Sequence, residues 1–140
     1  MGTQASKEGT DARRRRIQFN GETCIWCRSC ELICSLSHEG ECNPSLSRMR
    51  ISLNVFDAAV GASVCRQCDD PECVEACPVG AIKSDEATGA FYVSADECTA
   101  CGSCAEACRF NQEGSVIFLN PARNVYVKCD LCRGSPQCIE

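Results

Sequence analysis

Hydrophobic and polar positions alternate along this chain only in short stretches. Residues 81–83 (Ala-Ile-Lys), a turn-rich run over 84–89 and residues 91–93 (Phe-Tyr-Val) predict a β-hairpin. Residues 116–119, the Asn120-Pro121-Ala122-Arg123-Asn124 turn and residues 125–127 predict a second. Residues 48–53 read as a further strand. The helices expected are short, over 30–36, 71–77 and 104–110, each with a cysteine at i and i+4 facing inward. Ile25, Ile33, Val74, Ile82, Val93, Ile117 and Val127 are the expected inward-facing apolar residues. No apolar run reaches the roughly 18 residues of a membrane span. No apolar segment follows the N-terminal arginines as a signal peptide requires. The pattern is that of a loop-rich α+β chain.

At 140 residues the chain has the length of one small domain or two very small ones. Only 6% is aromatic, so few large side chains are available for a conventional core. Sixteen residues are cysteine, a fraction that signals either a disulfide scaffold or metal binding. The net charge of -5 is unevenly spread. Residues 1–16 hold five basic groups (Lys7 and the arginines at 13–16) against two acidic ones, leaving 9 basic and 17 acidic groups in the remainder. An acidic body argues against a nucleic-acid partner. Residues 1–16 read as a basic, flexible, solvated tail, with docking to an acidic partner as the sharper alternative.

The cysteine spacing decides between scaffold and metal. Cys24, Cys27, Cys30 and Cys34 are spaced C-x2-C-x2-C-x3-C, and Cys98, Cys101, Cys104 and Cys108 repeat that spacing. Cys65, Cys68, Cys73 and Cys77 form a C-x2-C-x4-C-x3-C variant followed by Pro78, and Cys129, Cys132 and Cys138 form a C-x2-C-x5-C group. Only Cys42 lies outside the groups. Three thiolates two residues apart let one tight loop wrap a cubane iron–sulfur cluster, with backbone N–H groups turned toward its sulfides. The cysteine three residues on points away from that loop and ligates the second cluster of a pair, as in bacterial two-cluster ferredoxins. Closely spaced thiols are poorly placed to pair as disulfides. Structural zinc sites use separated C-x2-C pairs, which leaves the third cysteine surplus.

Little else suggests chemistry. His38, the only histidine, reads as a structural hydrogen-bonder, with tuning or ligation of the nearest cluster as the alternative. No G-x-G-x-x-G follows a strand, so no flavin or nicotinamide site of that type is visible. Asp69, Asp70, Glu72 and Glu75 form an acidic patch that is either a solvated face or a docking surface. Trp26 is expected over its cluster or in a subunit interface.

Three stretches carry a family resemblance: CRQCDDPECVEACPVGAI (65–82), CTACGSCAEAC (98–108) and KCDLC (128–132). Over residues 17–140 the chain resembles the four-cluster ferredoxin-type electron-transfer subunits of molybdenum and tungsten oxidoreductases and some hydrogenases. The stretch CELICSLSHEGECNPSLSRMRI (30–51) is similar to small subunits of tungsten aldehyde:ferredoxin oxidoreductases and class II benzoyl-CoA reductases.

The resemblance implies tandem, interleaved two-[4Fe-4S] ferredoxin-like modules. Residues 65–108 would form an inner module, and residues 17–64 plus 109–140 an outer, split one. Ligation would cross between loops. One cluster takes Cys65, Cys68, Cys73 and Cys108; a second Cys98, Cys101, Cys104 and Cys77; a third Cys129, Cys132, Cys138 and Cys34. A fourth takes Cys24, Cys27 and Cys30, with its last ligand expected near position 142. That position lies past Glu140, so the chain is truncated inside its last motif, Cys42 substitutes, or this cluster is missing or unusual; truncation is favoured. Three to four [4Fe-4S] clusters are expected, four favoured. The implied function is non-catalytic relay of single electrons to or from a large subunit carrying a tungsten or molybdenum pterin. A flavin subunit or a soluble ferredoxin would be a further partner. The alternatives are a subunit of a hydrogenase or formate dehydrogenase complex, or a free polyferredoxin. Thiolates awaiting clusters require a reducing compartment, so a cytoplasmic location, in an anaerobe, is expected.

Overall fold

The computed structural model describes residues 15–139. Of the expected basic tail only Arg15 and Arg16 fall within them, both exposed, and the rest lies outside the described residues. In chain order the elements are α1 (Ser29–Glu39), β1 (Met49–Asn54), β2 (Ala59–Val64), α2 (Glu72–Ala76), β3 (Ile82–Ser84), β4 (Phe91–Val93), α3 (Ser103–Ala107), β5 (Phe118–Asn120) and β6 (Val125–Val127). Four single 3-10 turns link or follow them, the last two over Leu131–Gly134 and Gln137–Ile139. The strands pair only with their sequence neighbours, as three antiparallel hairpins. The result is a small α+β fold of short helices and short hairpins.

Helix α1 ends where Gly40 adopts a left-handed conformation (φ 77°) and its N–H closes on the Leu36 carbonyl at 3.0 Å. It is tied to β1 from within: Glu31, 1% exposed, accepts the Ile51 N–H at 2.8 Å while pairing with Arg28. Helix α2 starts after Pro71 and stops at Ala76, because Cys77 precedes Pro78 and is pushed into extended backbone (ψ 111°). Helix α3 stops at the equivalent place although no proline follows. There Asn111 replaces the missing turn: its amide donates to the Ala105 carbonyl at 3.0 Å and accepts the Val116 and Ile117 N–H groups at 2.9 and 2.8 Å.

That one side chain corrects two expectations. The helix predicted over 104–110 ends three residues early, and the strand predicted from Val116 starts at Phe118, since the two intervening N–H groups are taken. Cys77 and Cys108 therefore sit just past their helices rather than one turn along them. Cys30 and Cys34 do share α1. The strand expected over 48–53 is β1. Its partner β2 was not expected, for its sequence AVGASV is made of small residues without alternation.

The core gathers Ile82, Phe91, Val116, Ile117 and Leu131 with Cys65, Cys104 and Cys129. Val127 is buried, and Ile33, Val74 and Val93 are half-buried. Ile25 is the failure among the expected inward residues, at 85% exposed. It follows the first cysteine of its loop, as Arg66 and Thr99 do in theirs, and all three point outward. Two packings order the rest: α2 lies on α3, and α1 lies on the 3-10 turn at Gln137–Ile139.

Candidate metal centre

All four cysteine groups begin with the same backbone device. The residue before the second cysteine is left-handed in each: Trp26 (φ 56°), Gln67 (φ 48°), Ala100 (φ 57°) and Leu131 (φ 55°). In the two C-x2-C-x2-C loops the residue after the second cysteine is left-handed as well, Arg28 (φ 59°) and Gly102 (φ 83°). Such residues are uncommon outside glycine. In the fourth loop Cys132 (φ 48°) and Arg133 (φ 54°) continue the left-handed run. Left-handed residues in tight turns of this kind can gather backbone N–H groups into a concavity that receives anions and iron–sulfur centres. Gly102 has a further reason to lack a side chain, since a Cβ there would stand 3.0 Å from the Tyr126 hydroxyl. Backbone donors also reach sulfur directly: Gln67 N–H to Cys65 Sγ at 3.4 Å, Ala81 N–H to Cys77 Sγ at 3.3 Å and Arg48 N–H to Cys34 Sγ at 3.3 Å.

The loops bring cysteines from different groups together. Cys77 joins Cys98, Cys101 and Cys104 around a small cavity with Ile82 and Val93 in its wall. Cys34 joins Cys129, Cys132 and Cys138 around a second, bordered by His38 and Arg48. Cys65, Cys68, Cys73 and Cys108 are neighbours electrostatically. Burial pushes the Cys73 thiol up, and the sulfurs of Cys65, Cys108 and Cys68 push it further, against the pull of Lys128. Burial likewise raises Cys108, and Cys65 and Cys68 add to it. In the first group Cys24 and Cys30 are half-buried and Cys27 is exposed, as Cys101 is in the third. Cys42, also exposed, lies in the loop just past α1.

Whether these residues fit iron–sulfur clusters can be judged from the thiols themselves. Burial carries Cys129 to about 12 and Cys104 and Cys138 to about 11, and neighbouring sulfurs add to each shift. Buried thiols crowded against one another ionise only with a cationic centre among them, and a metal supplies that charge. The donor set is sulfur, four cysteines together at each of the two cavities, with N–H groups reaching the sulfurs of Cys34, Cys65 and Cys77. That is the ligation of [4Fe-4S] centres, so the residues fit.

Around the Cys34–Cys138 cavity stands a network of charge. His38 Nε2 lies 3.0 Å from Asp130 Oδ1 and its Nδ1 lies 2.9 Å from the Cys34 carbonyl, with the ring 3.9 and 4.0 Å from the Cys34 and Cys132 sulfurs. Asp130, with Cys132 and Cys34, holds the imidazolium up to about 12. Burial pushes the Asp130 carboxyl up, but His38 and Arg48 outweigh it and bring it to about 2. Arg48 Nη1 reaches the other Asp130 oxygen at 3.2 Å. Both ring nitrogens of His38 are engaged, one with Asp130 and one with the Cys34 carbonyl.

Glu31, Gln67, Lys128 and Asp130 are among the buried polar residues that escaped the sequence reading. Charged and amide side chains are surface residues by default, and the only signal was adjacency to cysteine. The acidic residues Asp69, Asp70, Glu72 and Glu75 are exposed, and Glu72 pairs with Arg109. Trp26 is 42% exposed. Among the described residues no helix is long and apolar enough to cross a membrane.

Residues 56–138 match the family described as 4Fe-4S dicluster domain, a span that contains the second, third and fourth cysteine groups. Over 127 residues the chain is 43% identical to the aliphatic sulfonate oxidoreductase, polyferredoxin-like subunit, of Pyrococcus furiosus, covering 89% of this chain and 69% of that protein. It is 32% identical over 125 residues to the NADH-dependent phenylglyoxylate dehydrogenase subunit beta of Aromatoleum evansii, covering 88% of this chain and 27% of the relative. The electron transport protein HydN of Escherichia coli is 32% identical over 134 residues, covering 84% and 75%. The chain therefore belongs to the 4Fe-4S dicluster domain family and is a ferredoxin-type electron-transfer protein that binds several [4Fe-4S] clusters.

Proposed function

We propose that this chain is the relay subunit of an oxidoreductase complex, whose [4Fe-4S] clusters, each a one-electron couple, connect a donor to the active site of a larger catalytic subunit. The observation that carries this reading is the pair of cavities lined by Cys77, Cys98, Cys101 and Cys104 and by Cys34, Cys129, Cys132 and Cys138. In each, one cysteine comes from a different group than the other three. A third set is Cys65, Cys68, Cys73 and Cys108, supported by their mutual electrostatic coupling. The fourth is Cys24, Cys27 and Cys30, with Cys42 the first candidate for a fourth ligand within this chain. The stacking of α2 on α3 and of α1 on the last 3-10 turn supports an inner module over 65–108 and an outer one from 17–64 and 109–140.

What the chain's own residues do is placement and insulation. The left-handed loop residues aim N–H groups at the thiolates, Ile82, Val93 and Ile117 keep water away, and the His38–Asp130–Arg48 network fixes the walls of one cavity. No residue in the described set is assigned a catalytic role.

For the partner we propose a catalytic subunit with a tungsten or molybdenum pterin, of the aldehyde oxidoreductase or benzoyl-CoA reductase type, in the cytoplasm. The likeness of residues 30–51 to such small subunits supports it, as does a relative named as a subunit of a sulfonate oxidoreductase. The similarity to HydN, named an electron transport protein, favours a second reading in which the chain serves a hydrogenase or formate dehydrogenase complex or diffuses freely. Anaerobic purification of the native protein with metal analysis separates a tungsten or molybdenum partner from a hydrogenase or a free polyferredoxin, and formate oxidation assayed on the same complex separates a formate dehydrogenase. The relay-subunit reading expects co-elution with a larger subunit containing tungsten or molybdenum. A lone peak at the mass of this chain would reject it.

A further inference from the structure

Lys128 heads the fully buried side chains, at 1% exposed. Its Nζ donates to the Phe91 carbonyl at 2.7 Å and lies 3.3 Å from Cys65 Sγ and 3.5 Å from the Cys129 carbonyl. Among the described residues no carboxylate forms an ion pair with it. Gln67 shares its acceptors, donating to the Cys129 carbonyl at 2.9 Å and to that of Phe91 at 3.5 Å, while its own oxygen accepts the Phe91 N–H at 2.7 Å. The ammonium thus stands in the seam between the Cys65 loop, the Cys129 loop and β4.

A buried charge without a partner is costly, and two carbonyls and a neutral thiol do not cancel it. We propose that the Lys128 ammonium is the built-in counter-charge of the centre ligated by Cys65, and that it raises the reduction potential of that centre. This rests on the ligand sets proposed above. A cluster with four thiolates is an anion, and reduction adds one more negative charge, so a cation in contact with a ligand sulfur stabilises the reduced form over the oxidised one. The position also explains the burial: once the centre is present the lysine has an opposite charge at contact distance. Its field extends to both neighbouring loops, where it lowers the thiols of Cys73 and Cys129 against the effect of burial.

The test is Lys128→Met in the full chain, purified anaerobically and titrated by electron paramagnetic resonance with iron counted in parallel. The expected result is the largest displacement to lower potential at the centre ligated by Cys65, a smaller one in the same direction at the centre ligated by Cys129, and the wild-type iron content. An unmoved set of midpoints with iron retained would overturn the proposal. Wild-type protein without iron would instead reject the cluster reading itself. Should the variant fail to retain iron, the wild-type chain grown on lysine carrying nitrogen-15 at its ε position decides. The chain has three lysines, of which Lys83 is exposed and paired with Glu97. Pulsed resonance of the reduced protein is expected to show nitrogen-15 hyperfine coupling, and its absence would overturn the proposal.

Discussion

His38 Nε2 meets Asp130 Oδ1 at 3.0 Å across 92 residues of sequence, and the same carboxylate holds Arg48 at 3.2 Å. One acid thereby pins α1 and the entry to β1 against the last cysteine loop, where it also accepts the Cys132 N–H at 3.0 Å. Asp130→Ala leaves the mostly buried His38 without its anion and Arg48 with only the longer Glu39 pair at 3.6 Å, and is expected to cost about 3 kcal/mol. Denaturant unfolding of the cluster-loaded protein measures it; a loss below about 1 kcal/mol would show the network to be idle.

The core holds few large side chains, and much of what surrounds it is cysteine. Thiols raised by burial to about 11 and about 12 stay neutral near pH 7 and so do little for or against the apo fold, whereas a bound centre favours it. Removing iron with a chelator is expected to abolish most of the far-ultraviolet circular dichroism. A metal-free chain that keeps its native spectrum would contradict this.

Crossed ligation makes a non-additive prediction. Cys77→Ser and Cys101→Ser lie in different groups but line one cavity. Each alone is expected to lose one cluster, about four irons, and the double variant no more than either. Iron analysis reads the outcome directly. Eight irons lost in the double variant, at about four per cluster, would mean that the groups do not cross.

Gly102 carries a left-handed φ of 83° beneath the Tyr126 hydroxyl. Gly102→Ala is expected to destabilise by about 1–3 kcal/mol from backbone strain and crowding. Adding Tyr126→Phe should recover the crowding part and leave the strain. Paired unfolding curves test this; no recovery in the double variant would remove Tyr126 from the account.

The cysteine groups, both hairpins and the inward side of β6 could be read from sequence because each rests on local spacing. Asn111 could not. Nothing in its neighbours announces that one amide will end α3 and delay β5, for its acceptor at Ala105 and its donors at Val116 and Ile117 meet only in the folded chain. Ile25 misled for the opposite reason: its apolar side chain suggested burial, but that position is exposed in the first three cysteine loops, and only in the fourth is it buried, as Asp130. Lys128 and Glu31 were invisible because their burial depends on partners far along the chain, Cys65 and Ile51.

The left-handed residue ahead of each second cysteine has a bearing on how such loops can vary. Tryptophan, glutamine, alanine and leucine occupy the four places here, so the turn itself does not demand one chemistry, although buried Gln67 and Leu131 are further constrained by their own contacts. Shape is general: valine, isoleucine and threonine are poorly tolerated at positive φ, and proline is barred. A library randomised at the exposed Trp26 and selected for brown colonies should accept almost any letter not branched at Cβ and discard those four. The loop is thus spelled by its cysteines and by a short roster of forbidden residues, a constraint that counting identities between relatives would overlook.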